Sequence, residues 1–142
     1  MPHYTATRTL LASLEDVWAF LVEPYHLSDW WPGIAGVQPD RRGLAPGARW
    51  QLRTGEPQGF ALSLLRRPGA AGTLLVTEVE RGRRIAFQLA ADRIDAELDL
   101  ESSAPDRTQV TLTVHAPWGA VTRSFPQRAL VRLYDLVQTA AS

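Results

Sequence analysis

No cysteine occurs in the 142 residues, so neither a disulfide nor a thiolate metal site holds this chain together. A chain of this length buries roughly two-thirds of its unfolded surface as one domain and needs no such staple. Absent thiols fit a reducing compartment. Lysine and asparagine are missing too, and all fifteen basic residues are arginine, balanced by fifteen acidic ones. A formal charge of zero lacks the basic face that nucleic-acid binders show. No apolar run nears the eighteen residues of a membrane-spanning helix. The opening MPHYTATRTL has no charged start, apolar run and cleavage site of a signal peptide. The expectation is one cytoplasmic, soluble domain over residues 1–142, without membrane insertion and without a nucleic-acid partner.

What is present begins with a strand over 3–12, rich in Thr, Tyr and Leu. Ser13 then caps a helix, its hydroxyl facing the amide of Asp16, with Glu15 and Asp16 at the positive end. Leu14, Val17, Trp18 and Leu21 form one apolar stripe, and Pro24 ends the helix. A second short helix, about 25–31, stops at Pro32-Gly33.

From there the period changes to two. Strands are expected at 34–39, 48–54, 73–80, 83–91, 93–102 and 107–116. Trp50 and Leu52 share a face, as do Ile85, Phe87 and Leu89. Ile94, Ala96, Leu98 and Leu100 point inward, as do Val110, Leu112 and Val114. Such alternation gives an antiparallel sheet one covered face and one wet face. Residues 55–71 read as an excursion, a strand or a lid. The segment 118–140 is helical, with Phe125, Ala129, Leu133 and Val137 at i+4 spacing. Ser124 with Gln127 matches a capping box, and Pro126 suits a helix start. The order is strand, two helices, about six strands in meander and a long helix, an α+β arrangement. The helix buries its stripe on the concave face of the sheet and leaves a cavity there.

Ser13-Leu14-Glu15-Asp16-Val17-Trp18-Ala19-Phe20-Leu21, Pro24, His26-Leu27 and Trp30-Trp31-Pro32-Gly33 carry a resemblance. So do Gly47-Ala48-Arg49-Trp50, Val76-Thr77-Glu78-Val79-Glu80, Arg83-Arg84-Ile85-Ala86-Phe87 and Arg107-Thr108-Gln109-Val110-Thr111-Leu112. Together they resemble START-like (Bet v 1-like, SRPBCC) proteins, and in particular bacterial polyketide cyclase/dehydrase-like members. The resemblance implies a helix-grip fold: a seven-stranded antiparallel sheet around a long C-terminal helix, plugged at one end by two short helices. It implies a cavity for hydrophobic ligands such as lipids, sterols, polyketides or aromatic hormones. Some members are aromatase/cyclases, and the family has no universal catalytic set.

The double tryptophan is the feature to explain. Neighbours on a helix point about 100° apart. Either both rings pack in the core, or one anchors the short helix while the other lines the cavity mouth. Trp50, Phe60, Phe87, Trp118, Phe125 and Tyr134 are the other large groups expected to face the helix–sheet interior and a ligand.

Polar groups there would carry any chemistry. A two-residue turn at Arg81-Gly82 sends Glu78 inward, and a three-residue turn sends Thr77. A buried Glu78 would serve as general acid or base, and Tyr134 would orient a carbonyl. His3, His26 and His115 lack ligand spacing, so no metal or cofactor is expected. Three readings follow: a binder of a lipid-, polyketide- or aromatic-like molecule, a cofactor-free polyketide cyclase/dehydratase, and a protein-interaction module. The molecule is expected as monomer or homodimer.

Overall fold

The computed structural model describes residues 2–54 and 72–141. The excursion expected at 55–71, with Phe60, lies outside the described residues. Seven strands form one antiparallel sheet: β1 (His3–Leu10), β2 (Ile34–Gln38), β3 (Arg49–Thr54), β4 (Thr73–Glu80), β5 (Arg84–Leu89), β6 (Ile94–Ala104) and β7 (Arg107–His115). Their order is β1-β7-β6-β5-β4-β3-β2. The meander from β2 to β7 is thus joined by a first strand that returns beside the last. Among the described residues three helices join the sheet: α1 (Leu14–Leu21), α2 (Leu27–Trp30) and α3 (Phe125–Ala141).

Each element follows from its residues. Ser13 Oγ accepts the Asp16 amide at 3.1 Å, and Val17, Phe20 and Leu21 bury the face of α1. The 3-10 turn Pro24–His26 leads into α2, tied back by the His26 ring. That ring stacks on Phe20 at 4.0 Å, and its Nδ1–H donates to the Phe20 carbonyl at 2.7 Å. Helix α3 starts at Phe125 with Pro126 in its first turn, where the missing N–H costs nothing. Ser124 precedes it, but its hydroxyl meets that of Thr122 at 3.3 Å instead of forming the expected capping box. Ala129, Leu130, Leu133 and Val137 of α3 are all buried against the sheet. The inward rows of β6 and β7 are buried as their alternation requires.

The β4–β5 hairpin corrects one expectation. Glu80 pairs with Arg84, so the turn has three residues, with Gly82 in the left-handed region at φ +73. Simple alternation would then send Thr77 inward. A β-bulge between Val76 and Glu78 absorbs the extra residue instead. Val76 and Val79 keep their apolar side on the core, while Thr77 is exposed. Glu78 turns to the outer face, where its carboxylate accepts from Arg84 Nε at 2.9 Å.

Candidate functional site

The tryptophan pair is resolved by backbone geometry. Trp30 is the last residue of α2, and Trp31 already has extended angles, φ −87 and ψ 113. Gly33 then takes φ +95, which a side chain would disfavour, and turns the chain into β2. The 100° rule holds only within a helix, so this break lets both rings enter the same core. Trp30 is 3% exposed and Trp31 2%. Trp31 sits at the centre of an aromatic cluster with edge contacts to Trp30, Phe87 and Phe125 at 5.7, 5.4 and 5.0 Å between ring centres. Such tilted pairs are the favoured arrangement of aromatic quadrupoles.

Each tryptophan borders its own space. Trp30 lines a small space of about 20 Å³, together with Leu27, Trp50, Leu74, Phe87 and Leu98. That is room for about one water. Trp50 is fixed there by its indole N–H, which donates to the Gly43 carbonyl at 2.8 Å. Trp31 and Phe125 instead line an open pocket of about 190 Å³ at the end of the grip. Ile34 and Leu52 supply one wall from β2 and β3, and Leu89 and Ile94 supply another from the ends of β5 and β6. Ala120 and Val121 of the loop before α3 form part of its rim, and Asp92 is the one charged lining residue among the described residues.

The remaining expected site residues lie elsewhere. Trp118 does not face the interior: it is 85% exposed, on the 116–124 loop, where Gly119 takes φ +81 and holds the chain in a turn. Tyr134 is half-buried where α3 crosses β1, with the Arg8 guanidinium 4.6 Å above its ring. This cation–π contact faces the Arg8 side chain, whose Nε is buried without a hydrogen-bond partner. Glu78 belongs to a groove on the outer face of the sheet. There Arg84 meets Glu78, Asp99 and Glu97 at 2.9, 2.7 and 3.2 Å. The hydrogen bonds from Glu78 and then Asp99 push the Arg84 pKa further up, so this cation never titrates in the working range. Among the described residues no group of acidic, histidine or cysteine side chains has the arrangement of a metal site. No helix there is long and apolar enough to cross a membrane.

Sequence reading missed Ile34, Leu89, Ile94, Ala120, Val121 and Asp92 as pocket residues. Alternation already put Leu89 and Ile94 inward. The missing step was that strand ends, not strand centres, border the open end of the grip.

An α+β helix grip with an apolar pocket at one end is the class this geometry defines. The chain belongs to the polyketide cyclase/dehydrase and lipid transport family, whose pattern matches residues 1–137. Solved structures share the fold at low identity. A protein from Nitrosomonas europaea is 17% identical with a TM-score of 0.69, covering 97% of this chain and 95% of its own. The XoxI protein from Bacillus cereus is 13% identical with a TM-score of 0.70, covering 100% and 99%. The Aha1 dimer from Colwellia psychrerythraea is 17% identical with a TM-score of 0.63, covering 99% and 97%. Among curated proteins, nothing matches this chain.

Proposed function

We propose that this protein binds a small hydrophobic molecule in the pocket walled by Trp31 and Phe125. The observation that carries the reading is the pocket itself: about 190 Å³, open to solvent, with a wall built almost wholly of apolar side chains. An engineered apolar cavity of about 150 Å³ takes benzene. The present volume therefore suits one ring or a short acyl chain, and is smaller than the 300–1,000 Å³ of typical drug-sized sites. The family description, which includes lipid transport, supports the same chemistry. The acid–base candidates Glu78 and Tyr134 lie away from this pocket, which favours binding over cyclase or dehydratase chemistry there. The exposed Trp118 and Tyr25 favour an interaction module instead. The cysteine-free chain suits the cytoplasm, and the dimeric relative suits a homodimer as readily as a monomer.

Calorimetric titration with 2-phenylethanol tests the reading. Saturable one-site binding is expected in the native protein and is lost when the pocket is filled by Ala91→Leu. The absence of saturable binding up to the solubility limit, with a folded protein, would refute it.

A further inference from the structure

The described side chains that line the pocket are apolar with one exception. Among the described residues its single charged wall residue is Asp92, and no arginine or histidine lines it. Asp92 closes the 3-10 turn Ala90–Asp92 that links β5 to β6. That turn places Leu89, Ala91, Asp92 and Ile94 around the same opening. No hydrogen bond or ion pair among the described residues occupies the Asp92 side chain, in contrast to Asp40 and Asp99, which are both engaged.

The turn is also held in an unusual way. Arg93 is the one non-glycine residue with positive φ among the described residues, at φ 55 and ψ 40. Its amide reaches back to the Ala90 carbonyl at 3.4 Å. A left-handed conformation is costly for a residue with a side chain, and such outliers gather at ligand-contacting positions. Here the left-handed residue follows Asp92 directly. It reverses the chain so that β6 starts with Ile94 in the pocket wall while Asp92 stays at the rim.

Resting on the binding reading above, we infer that the pocket selects its ligand by charge. It takes a ring-sized apolar body whose polar head is cationic or donates a hydrogen bond, and it rejects carboxylate-headed ligands such as fatty acids and aryl acids. The apolar body enters against Trp31 and Phe125, and the head stays at the rim. An ammonium, or a hydroxyl donating to the Asp92 carboxylate, is favoured there. A carboxylate head meets like charge, with no arginine among the described wall residues to offset it. Because the rim is wet, the preference is moderate and weakens with salt.

Three probes with similar bodies test this: 2-phenylethylamine, 2-phenylethanol and 3-phenylpropanoate, titrated calorimetrically at pH 7 in low salt. The amine is expected to bind about tenfold or more tightly than the carboxylate, with the alcohol between. Asp92→Asn, a substitution of an exposed residue, brings the three within about twofold of one another. Salt at 0.5 M narrows the wild-type spread in the same direction. Carboxylate binding equal to or tighter than amine binding overturns the inference, as does an order that Asp92→Asn leaves unchanged. If the alcohol binds the native protein but head charge makes no difference, only the charge selection fails. If none of the three binds, the binding reading fails and the inference with it.

Discussion

Replacing Trp31 by alanine tests the geometry of the tryptophan pair most directly. The side chain is 2% exposed. An aromatic group buries 150–250 Å², so at about 25 cal/mol per Å² its burial contributes roughly 4–6 kcal/mol as an upper estimate. Measured Trp or Phe to Ala losses in cores run about 3–5 kcal/mol. Trp31 also makes edge contacts to three rings, each adding roughly 0.5–1.5 kcal/mol beyond area. Against this, one side of Trp31 faces the pocket, so relaxation there returns part of the loss. The expected net loss is about 4 kcal/mol. A domain of this size is stable by on the order of 7–20 kcal/mol, so the variant folds but is visibly weakened. Urea unfolding followed by circular dichroism reads the loss as a midpoint lowered by about 2 M with an unchanged slope. Trp118→Ala, at an 85% exposed position, serves as the control and stays within about 0.5 kcal/mol of the native protein. A Trp31→Ala loss below about 1.5 kcal/mol would show that the aromatic cluster is not a keystone of the core. The same variant widens the pocket, so naphthalene is expected to bind it more tightly than it binds the native protein, measured by fluorescence titration.

Three further outcomes follow from described contacts. Arg84→Met leaves the Glu78, Glu97 and Asp99 carboxylates facing one another, and costs about 1 kcal/mol at low ionic strength, less in 0.5 M salt, by urea unfolding; these groups are partly exposed, which keeps the figure small. Arg93→Gly relieves the left-handed backbone and raises stability by about 0.5 kcal/mol after the added unfolded-state entropy of glycine, read as a small rise in thermal midpoint. Asp40 accepts the amides of Arg49 and Arg42, and the Arg49 bond above all holds its pKa below the ordinary 3.8. A depressed carboxylate stabilises the fold above its unfolded pKa and loses that contribution as pH falls through the folded value. Asp40→Asn should therefore weaken the native protein near neutrality and be indistinguishable from it in strong acid, which a pH series of urea midpoints checks.

Much of the fold was legible because its signals are local. Strict alternation in Ile94–Leu100 and Val110–Val114 gave the buried face, since a strand has only two sides. The Ser13 cap and the Phe125–Val137 stripe gave two helices for the same reason: each depends on residues within a turn of one another. The site was less legible. The inward turn of Trp31 depends on a single extended residue at a helix end, and no periodicity encodes that. The turn at Arg81-Gly82 left Glu78 and Thr77 as alternatives, and Thr77 faces out because a bulge shifts register by one, which nothing in Val76-Thr77-Glu78 marks. Trp118 and Tyr134 read as interior by size alone, yet Trp118 falls in a glycine-held turn and Tyr134 sits beneath an arginine from the first strand. Asp92 falls between two expected strands, and nothing local shows that the sheet brings its turn beside Trp31 and Phe125.

The shortness of α2 has a consequence for how the molecule assembles and breathes. Four residues cannot hold a helix in isolation, because nucleation alone is unfavourable. Leu27–Trp30 therefore forms only when Trp31 meets Phe87 and Phe125, which lie more than fifty and more than ninety residues further along the chain. Contacts of such long range form late, after the local hairpins of the meander. Native-state hydrogen exchange should accordingly find the Trp31 amide, bonded to the Leu27 carbonyl at 2.8 Å, opening at lower free energy than the β6–β7 ladder. The wall of the pocket would then be the part of the protein that opens first, giving a ligand a way in while the rest of the sheet stays folded.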